Sequence, residues 1–336
     1  MNIRSILAAS PVRLAPMADI TNIAFRLIAR ECGSRLVTTE EIDAKALLMG
    51  SESTRLRTLY LPQERPIIMQ LLGCEPDILA EAAQRLQEAG ADIIDLNMGC
   101  PVPKIVKKGE GAALMKDPLK AAEILRSLRR VIRLPFTVKI RSGWDEKTVN
   151  AVEIAKIAEA EGVDAIAVHP RTRAQRFSGQ APWDVITDVV RSVNIPVTGN
   201  GDVRSWADAR RMMNETGAVS VMIGRGALGQ PWVFDAHFEE LDEQTRWARK
   251  YRVIKRHQEL IHAHVPESDV DFQVKKNLVW YSKGMYGSAA LRQKIFTSKS
   301  AGEAWALFKE GWFKAVEMQE QREAEPQKSE ALLPAS

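Results

Sequence analysis

The run EAGADIIDLNMGCP, residues 88–101, contains the end of a helix, a strand and a loop in one stretch. Gly90 stands where the helix must stop, because glycine adopts the left-handed conformation of a helix end at little cost. The apolar residues Ile93, Ile94 and Leu96 then favour a buried parallel strand. Polar residues and prolines follow, as is typical of the loop that leaves such a strand. The stretch therefore predicts one unit of a fold in which helices and strands alternate.

The same alternation extends from the N-terminus to about residue 235. Gly162 and Gly217 repeat the helix stop of Gly90, and amphipathic segments lie between the strand-like runs. We predict strands at residues 12–17, 35–39, 66–71, 92–97, 136–141, 165–169, 196–200 and 219–224. Eight strands joined by crossover helices predict an α/β protein with a (β/α)8 TIM barrel. A doubly wound sheet is the alternative, since periodicity alone does not establish closure of the barrel.

Composition places the chain among ordinary globular proteins. Of its 336 residues, 45% are apolar and 27% are charged, which excludes a fibrous or wholly disordered chain. No apolar run approaches the roughly 18 residues that span a bilayer, and the N-terminus is too weakly apolar for a secretory signal. We therefore expect a cytoplasmic protein without membrane contact. The three cysteines are far apart and no HExxH motif is present, so neither a disulfide framework nor a metal site is predicted.

The C-terminal part of the chain differs in both charge and pattern. Strand-like runs end near residue 243, and helical spacing of apolar residues follows. Residues 246–318 hold 14 Lys and Arg against 7 Asp and Glu. We predict a catalytic barrel at residues 1–243, a small all-helical domain at 244–318 and a flexible tail at 319–336. The basic charge suggests a polyanionic partner, although a solvated helix face would show the same bias.

Polar residues collect where the predicted strands end. In TIM barrels the reactive groups lie at these C-terminal ends, and the loops after strands seven and eight commonly cradle phosphate. Paired glycines in both loops therefore predict a phosphorylated cofactor. Residues 224–229 also fit a GxGxxG dinucleotide fingerprint, but that motif needs a further strand about 20 residues on. Because residues 231–241 favour a helix, we rank the fingerprint below the phosphate cradle.

Together these motifs resemble one enzyme family. The set comprises APMA at 15–18, Gln70, NMGCP at 97–101, KIRSGW at 139–144, VHPRTR at 168–173, GNGD at 199–202 and MIGRG at 222–226. It resembles the tRNA-dihydrouridine synthases, most closely their bacterial B-type branch, over residues 5–320. The resemblance implies a TIM barrel that binds FMN, a helical domain that binds tRNA, and reduction of a D-loop uridine at the expense of NADPH or NADH. We expect a monomer.

The resemblance also implies a role for each motif residue. Reduction of the uracil C5=C6 bond needs a hydride at C6 and a proton at C5, and Cys100 resembles the proton donor. With an unperturbed pKa of about 8.5, a thiol keeps its proton at neutral pH. Asn97 resembles the amide that holds the base. The implied cofactor contacts are Pro16, Met17, Ala18, Gln70, Lys139, His169, Asn200, Gly201, Asp202, Gly224 and Arg225, and the implied RNA contacts are Arg171, Arg173, Lys275, Lys276 and Arg292.

Other interpretations of these residues stay open. A lone cysteine such as Cys100 is more often a small core residue than a reactive one. An FMN barrel that acts on a free pyrimidine, as dihydroorotate dehydrogenases do, would not need the basic C-terminal part. An RNA-binding barrel without catalysis would not need Cys100 or Lys139. The uridine position, the tRNA species and the role of the C-terminal tail do not follow from the sequence.

Overall fold

The computed structural model describes residues 2–324, and the side chains of residues 2–319. Contacts within the chain divide it into two compact units. The first comprises residues 1–227 and 231–239, and the second comprises residues 228–230 and the chain from residue 240. The division lies close to the predicted domain boundary after residue 243.

The first unit is built on eight parallel strands. They are β1 (Val12–Leu14), β2 (Val37–Asp43), β3 (Ile67–Leu72), β4 (Ile93–Met98), β5 (Phe136–Arg141), β6 (Ala165–His169), β7 (Val197–Asn200) and β8 (Ser220–Ile223). Strands β2 to β8 pair in sequence order, and β8 pairs with β1. This order runs once around from β1 to β2 and confirms the predicted TIM barrel, because in a doubly wound sheet the order of the strands would reverse at the centre.

A serine links the two strands at the barrel seam. The Oγ of Ser34 accepts a hydrogen bond from the Leu14 amide at 3.0 Å and donates one to the Leu36 carbonyl at 3.1 Å. Leu14 ends β1 and Leu36 directly precedes β2. The hydroxyl therefore satisfies backbone groups on both sides of the seam, as buried groups require.

Helices follow the strands around the outside of the barrel. The helices of this unit are α1 (Ile3–Ala9), α2 (Ile23–Glu31), α3 (Ala44–Leu48), α4 (Glu52–Thr58), α5 (Pro76–Glu88), α6 (Pro103–Val106), α7 (Pro118–Val131), α8 (Ala151–Ala160), α9 (Asp184–Ser192) and α10 (Trp206–Thr216). The apolar faces of α5 and α7 bury leucine and alanine residues against the strands, as their spacing predicted.

The N-terminal helix α1 closes one end of the barrel, which the sequence analysis did not predict. Its residues Ile3 and Leu7 pack in one cluster with Leu36, Ile68 and Ile93. Those partners lie at or before the starts of β2, β3 and β4. An apolar plug at the N-terminal ends of the strands leaves the C-terminal ends as the open mouth.

The second unit is helical. Its helices are α11 (Glu243–His264), α12 (Glu267–Tyr281), α13 (Ser288–Thr297) and α14 (Ala301–Ala324). Aromatic side chains join α11 to α14, with the rings of Trp247 and Trp312 centred 4.8 Å apart. Helix α14 continues past residue 319, where the tail was predicted to begin, and residues 325–336 lie outside the described residues. The predicted helix at 231–241 is wrong: short 3-10 turns at Pro231–Phe234 and Phe238–Glu240 replace it.

Candidate active site

Asn97 anchors the loop that follows β4. Its Oδ1 accepts hydrogen bonds from the backbone amides of Gly99 at 3.0 Å and Cys100 at 2.9 Å. Its Nδ2 donates to Gln70 Oε1 and to Glu41 Oε2, both at 3.0 Å. All four hydrogen-bonding positions of the amide are thus used within the protein. Asn97 fixes the course of the chain into Cys100, and in this arrangement it has no polar position left for a base.

The thiol of Cys100 lies half-buried at the barrel mouth. Its Sγ is 3.9 Å from Glu41 Oε1, at the long end of the range for a sulfur hydrogen bond. Burial and the carboxylate of Glu41 raise the pKa of the thiol to about 12. Gly111 packs against this residue, since a Cβ added there would lie 2.7 Å from the Cys100 carbonyl oxygen. Cys100 is therefore a constrained, protonated thiol at the mouth and not a core residue.

A buried polar network lies inside the barrel beneath this loop. Gln70 Nε2 donates to Asp95 Oδ2 at 2.7 Å, and Thr137 Oγ1 donates to the other oxygen of Asp95 at 2.5 Å. Arg13 is also buried and donates to Thr198 Oγ1 at 2.9 Å. Burial raises the pKa of Asp95, and the charge of Arg13 offsets part of that rise. These bonds hold Gln70 in place. The second hydrogen of its Nε2 has no acceptor among the described residues.

Lys139 lies beside Asn97 in the paired strands β4 and β5. Its ammonium has no hydrogen-bond or ion-pair partner among the residues that the structure describes. Burial, followed by the charge of Arg141, lowers its pKa to about 8. A half-buried amine without a partner is costly, so this group is available for a ligand.

Arg141 ties the Cys100 loop to the loop after β6. Its Nε donates to the Gly99 carbonyl at 2.8 Å, and its Nη1 donates to the carbonyls of Thr172 and Arg176, both at 2.9 Å. Its guanidinium also lies 5.6 Å from the ring centre of Phe177, a side chain that is 53% exposed. Arg141 therefore positions two loops at the mouth.

His169 ends β6 as a buried, neutral imidazole. Asn200 Nδ2 donates to the Met222 carbonyl at 2.9 Å, which leaves Asn200 Oδ1 facing His169 Nδ1 at 3.1 Å. This arrangement assigns the hydrogen to Nδ1 and leaves Nε2 as an acceptor. Burial and the nearby cations Lys139 and Arg141 hold the pKa of His169 well below its usual value. Nε2 is buried and lacks a partner among the described residues.

The predicted phosphate cradle follows β7 and β8. Gly201 and Asp202 both have positive φ, at 134° and 54°, and a Cβ added to Gly201 would lie 3.0 Å from the Ala181 Cβ. Arg225 is half-exposed, with its Nη2 3.7 Å from Asp202 Oδ1. A half-exposed cation beside backbone that a ligand can approach closely suits a phosphate.

The position of Arg171 corrects its predicted role as an RNA contact. The residue is 1% exposed, and its Nη2 donates to both carboxylate oxygens of Asp202 at 2.9 and 2.7 Å. Its Nε and Nη2 also donate to the carbonyls of Ser178 and Gly179. A buried guanidinium bonded in this way positions the Asp202 loop and cannot reach an external RNA strand.

The first strand supplies a backbone wall at the mouth. Pro16 and Met17 are half-buried and Ala18 is exposed, all after the end of β1. The Met17 amide donates to Thr21 Oγ1 at 3.1 Å, which fixes the turn. The Sδ of Met17 would lie 3.4 Å from a Cβ added to Gly224. The absence of a side chain at Gly224 therefore makes room where the ends of β1 and β8 meet.

The remaining predicted RNA contacts lie in different settings. The guanidinium of Arg173 is 4.5 Å from the ring centre of Trp144, beside the mouth. In the helical unit Lys275 donates to the Ser298 carbonyl at 2.6 Å, and Arg292 donates to Ser288 Oγ at 3.2 Å. Lys276 lies over the Phe272 ring at 5.1 Å. These four side chains are half-buried.

Sequence reasoning missed Glu41, Arg13 and Phe177. The predicted second strand ended at residue 39, whereas β2 continues to Asp43 through a register shift between Thr38 and Glu41. The two consecutive carboxylates of TTEEID were the available signal, since an interior strand seldom carries them without a function. Among the described residues no group of three His, Cys, Asp or Glu side chains is placed to hold a metal ion. In that same part of the chain, no helix is both long and apolar enough to cross a membrane.

Comparison with known proteins identifies the family. Residues 13–317 match the family model described as dihydrouridine synthase. The chain is 39% identical over 301 residues to a protein of Rickettsia conorii named "Probable tRNA-dihydrouridine synthase", covering 88% of this chain and 91% of that one. It is 42% identical over 233 residues to tRNA-dihydrouridine synthase B of Pseudomonas aeruginosa, covering 69% of each chain. It is 34% identical over 328 residues to tRNA-dihydrouridine synthase B of Pasteurella multocida, covering 96% of this chain and 98% of that one.

The structural comparison concerns the fold alone. Histamine dehydrogenase from Rhizobium sp. 4-9 superposes with a TM-score of 0.50 and 14% identity, over 77% of this chain and 51% of that chain. The likeness agrees with the TIM barrel. The family match and the relatives confirm the resemblance predicted from the motifs, including its B-type branch. The chain is a member of the dihydrouridine synthase family.

Proposed function

We propose that the protein reduces the C5=C6 bond of a uridine in the D loop of tRNA, with FMN as cofactor and NADPH or NADH as reductant. Membership of the dihydrouridine synthase family makes it an oxidoreductase. The observation that carries the finer proposal is the pairing of a protonated thiol with an unpartnered amine at one barrel mouth. Cys100 and Lys139 provide these two groups, from the ends of adjacent strands.

The mouth fits a flavin nucleotide because it presents polar groups that lack protein partners. The ammonium of Lys139 and the buried Nε2 of His169 are two of them, and the buried Nη1 of Arg171 is a third among the described residues. Buried polar groups in folded proteins are normally satisfied, so a polar ligand is expected here. Residues that would hold its ring are Pro16, Met17, Ala18, Gln70 and Lys139, and those for its ribityl chain and phosphate are His169, Asn200, Gly201, Asp202, Gly224 and Arg225. The acceptor Nε2 of His169 suits a hydroxyl of the ribityl chain.

The chain's own groups account for the proton half of the reaction. A bound reduced flavin supplies the hydride for uracil C6. Cys100 supplies the proton for C5, and the raised pKa of its thiol keeps that proton in place across neutral pH. The charge of Lys139 would stabilise the negative charge of the reduced flavin when that cofactor is bound. Arg141 and Asn97 hold the backbone on either side of Cys100, which fixes the direction of the thiol.

The helical unit is the proposed docking surface for tRNA. A base inside folded RNA must leave its stack to reach a buried site, and the enzyme must hold the rest of the RNA meanwhile. Residues 246–318 carry 14 basic against 7 acidic side chains, which suits a phosphate backbone. Lys275, Lys276 and Arg292, together with Arg173 on the barrel, are the proposed RNA contacts, and Asn97 contributes to substrate binding by holding the Cys100 loop in place.

The cofactor assignment is tested on the purified protein. We expect a yellow protein that releases FMN when it is denatured, and Lys139→Met should lower its affinity for added FMN. Chromatography of the released flavin against FMN, FAD and riboflavin standards identifies the compound. A protein that is colourless and takes up no added flavin would contradict the assignment.

A further inference from the structure

Glu41 is directed at the reacting thiol by its strand and by a neighbour. Its Oε2 accepts the hydrogen bond from Asn97 at 3.0 Å, which turns Oε1 toward Cys100 Sγ at 3.9 Å. Asn97 also fixes the Cys100 amide, so one side chain sets the position of both partners. The carboxylate and the thiol come from β2 and from the loop after β4, and the sequence separates them by 59 residues.

We propose that Glu41 holds the proton on the Cys100 thiol and so keeps Cys100 ready to act as an acid. This inference deepens the proposed function and rests on it for its catalytic meaning. The physical reason is charge repulsion, because a carboxylate opposes formation of a thiolate beside it. Burial of both groups strengthens that repulsion, since the surrounding dielectric constant is low.

Burial raises the pKa of the thiol most, and among the charges around it Glu41 adds the largest effect in the same direction. Two cations of β5, Arg141 and Lys139, face Cys100 and favour its thiolate. Glu41 is the carboxylate that opposes them at the sulfur. The charged groups that act on Glu41 itself are Arg57, Glu40, Asp19 and, from the loop after α6, Glu110. Without the Glu41 charge, the two cations would lower the pKa of the thiol.

The carboxylate also has a role once the proton has left. When C5 takes the proton, the electron pair of the S–H bond remains on sulfur as a thiolate. Repulsion from Glu41 then favours uptake of a proton from solvent at Sγ, which restores the thiol for the next turnover. Glu41 is half-exposed, so water has access to this pair.

The test measures the thiol directly and needs no RNA. Glu41→Gln removes the charge and keeps an oxygen that can accept from Asn97. We expect iodoacetamide to alkylate Cys100 faster in this variant between pH 8 and 11, with about a threefold gain for each unit by which the thiol pKa falls. Peptide mass spectrometry separates Cys100 from Cys32 and Cys74. Glu110→Gln, which removes a nearby carboxylate that does not contact the thiol, should leave the rate at the wild-type value.

Two results would overturn the inference. The first is an unchanged pH dependence of alkylation in Glu41→Gln. The second is equal acceleration in Glu41→Asp, which keeps the charge, because equal rates would assign the effect to altered packing. We expect Glu41→Asp to react at a rate closer to that of the wild type.

The pH dependence of dihydrouridine formation distinguishes this inference from the proposed function. With FMN at saturating concentration, so that weaker cofactor binding does not set the profile, the alkaline loss of activity in Glu41→Gln should move to lower pH together with the alkylation profile if Cys100 is the acid. A shifted alkylation profile with an unshifted activity profile would support Glu41 as the partner of the thiol and contradict Cys100 as the proton donor. An unshifted alkylation profile contradicts the inference about Glu41 whatever the activity.

Discussion

Asn97 shows at the scale of one residue what the sequence could and could not predict. Its resemblance to the family's base-holding amide predicted a contact with the base. The structure puts it at the mouth as expected, but all four of its hydrogen bonds go to protein groups. Hydrogen-bond partners from distant strands, such as Glu41 and Gln70, are set by register and cannot be read from local pattern. The residue therefore works mainly by positioning Cys100.

The hydrogen bonds of Asn97 predict a stability cost for Asn97→Ala. The change leaves the amides of Gly99 and Cys100 without their acceptor in a buried loop, where each unsatisfied group costs about 1–3 kcal/mol. Urea unfolding should show a loss of about 2–6 kcal/mol for the two groups together. Cys100→Ser, which keeps the same backbone bonds, serves as the control. An Asn97→Ala protein as stable as the wild type would contradict the positioning role of this amide.

Lys139 gives a prediction about pH. Its pKa of about 8 means that the charged ammonium is present below pH 8 and is lost as pH rises through that value. The affinity of the apoprotein for FMN should therefore fall between pH 7 and 9.5, because the cation that favours the flavin disappears. Fluorescence titration of FMN measures this directly. Lys139→Met should bind more weakly and with little pH dependence in that range, and a wild-type affinity that is flat over the range would remove Lys139 from the flavin site.

Strand β2 shows, at the scale of an element, how far its bounds could be predicted from the sequence. The prediction ended it at residue 39, yet the strand continues through a register shift to Asp43. Such a bulge reorients side chains, and here it directly precedes Glu41, whose carboxylate lies at the mouth. Most other strand limits were predicted within a few residues, since buried parallel strands are continuous apolar runs.

Helix α1 escaped prediction because seven residues give too little periodicity. Its function as a plug predicts that Leu7→Ala destabilises the protein. Leu7 is 1% exposed, and removal of a buried leucine side chain costs about 2–5 kcal/mol. Leu119→Ala makes the same chemical change at a residue that is 84% exposed and should cost little. Equal unfolding midpoints for the two variants would contradict the role of α1.

At the scale of the whole molecule, the excess of basic residues lies in the helical unit. The barrel was predictable from eight repeated strand signals, and the basic helical unit from a change in composition near residue 243. The RNA-facing surface was not fully predictable, because exposure depends on packing: Arg171 is buried beside Asp202, whereas Lys283 and Lys294 are exposed.

The basic unit predicts how tRNA affinity depends on salt. Replacing Lys283 and Lys294 with alanine should weaken tRNA binding and reduce the log–log salt slope by about one for each phosphate that the protein no longer neutralises. Lys156→Ala, an exposed change on α8 of the barrel, is the control. Filter binding at several salt concentrations measures the slope. Identical slopes in the wild type and the double variant would exclude these lysines from the tRNA surface.

The central claim is that the barrel reduces a uridine of tRNA with Cys100 as the proton donor, and one measurement tests it most directly. Purified wild-type protein and Cys100→Ala are supplied with FMN, NADPH and unmodified tRNA, and the nucleosides are then analysed by mass spectrometry. We predict dihydrouridine in the wild-type reaction and at least about a hundredfold less with Cys100→Ala, as expected for loss of a general acid, while NADPH still bleaches the flavin in both proteins. Dihydrouridine formed at the wild-type rate by Cys100→Ala, or a wild-type enzyme that reduces a free pyrimidine but not tRNA, would contradict this claim.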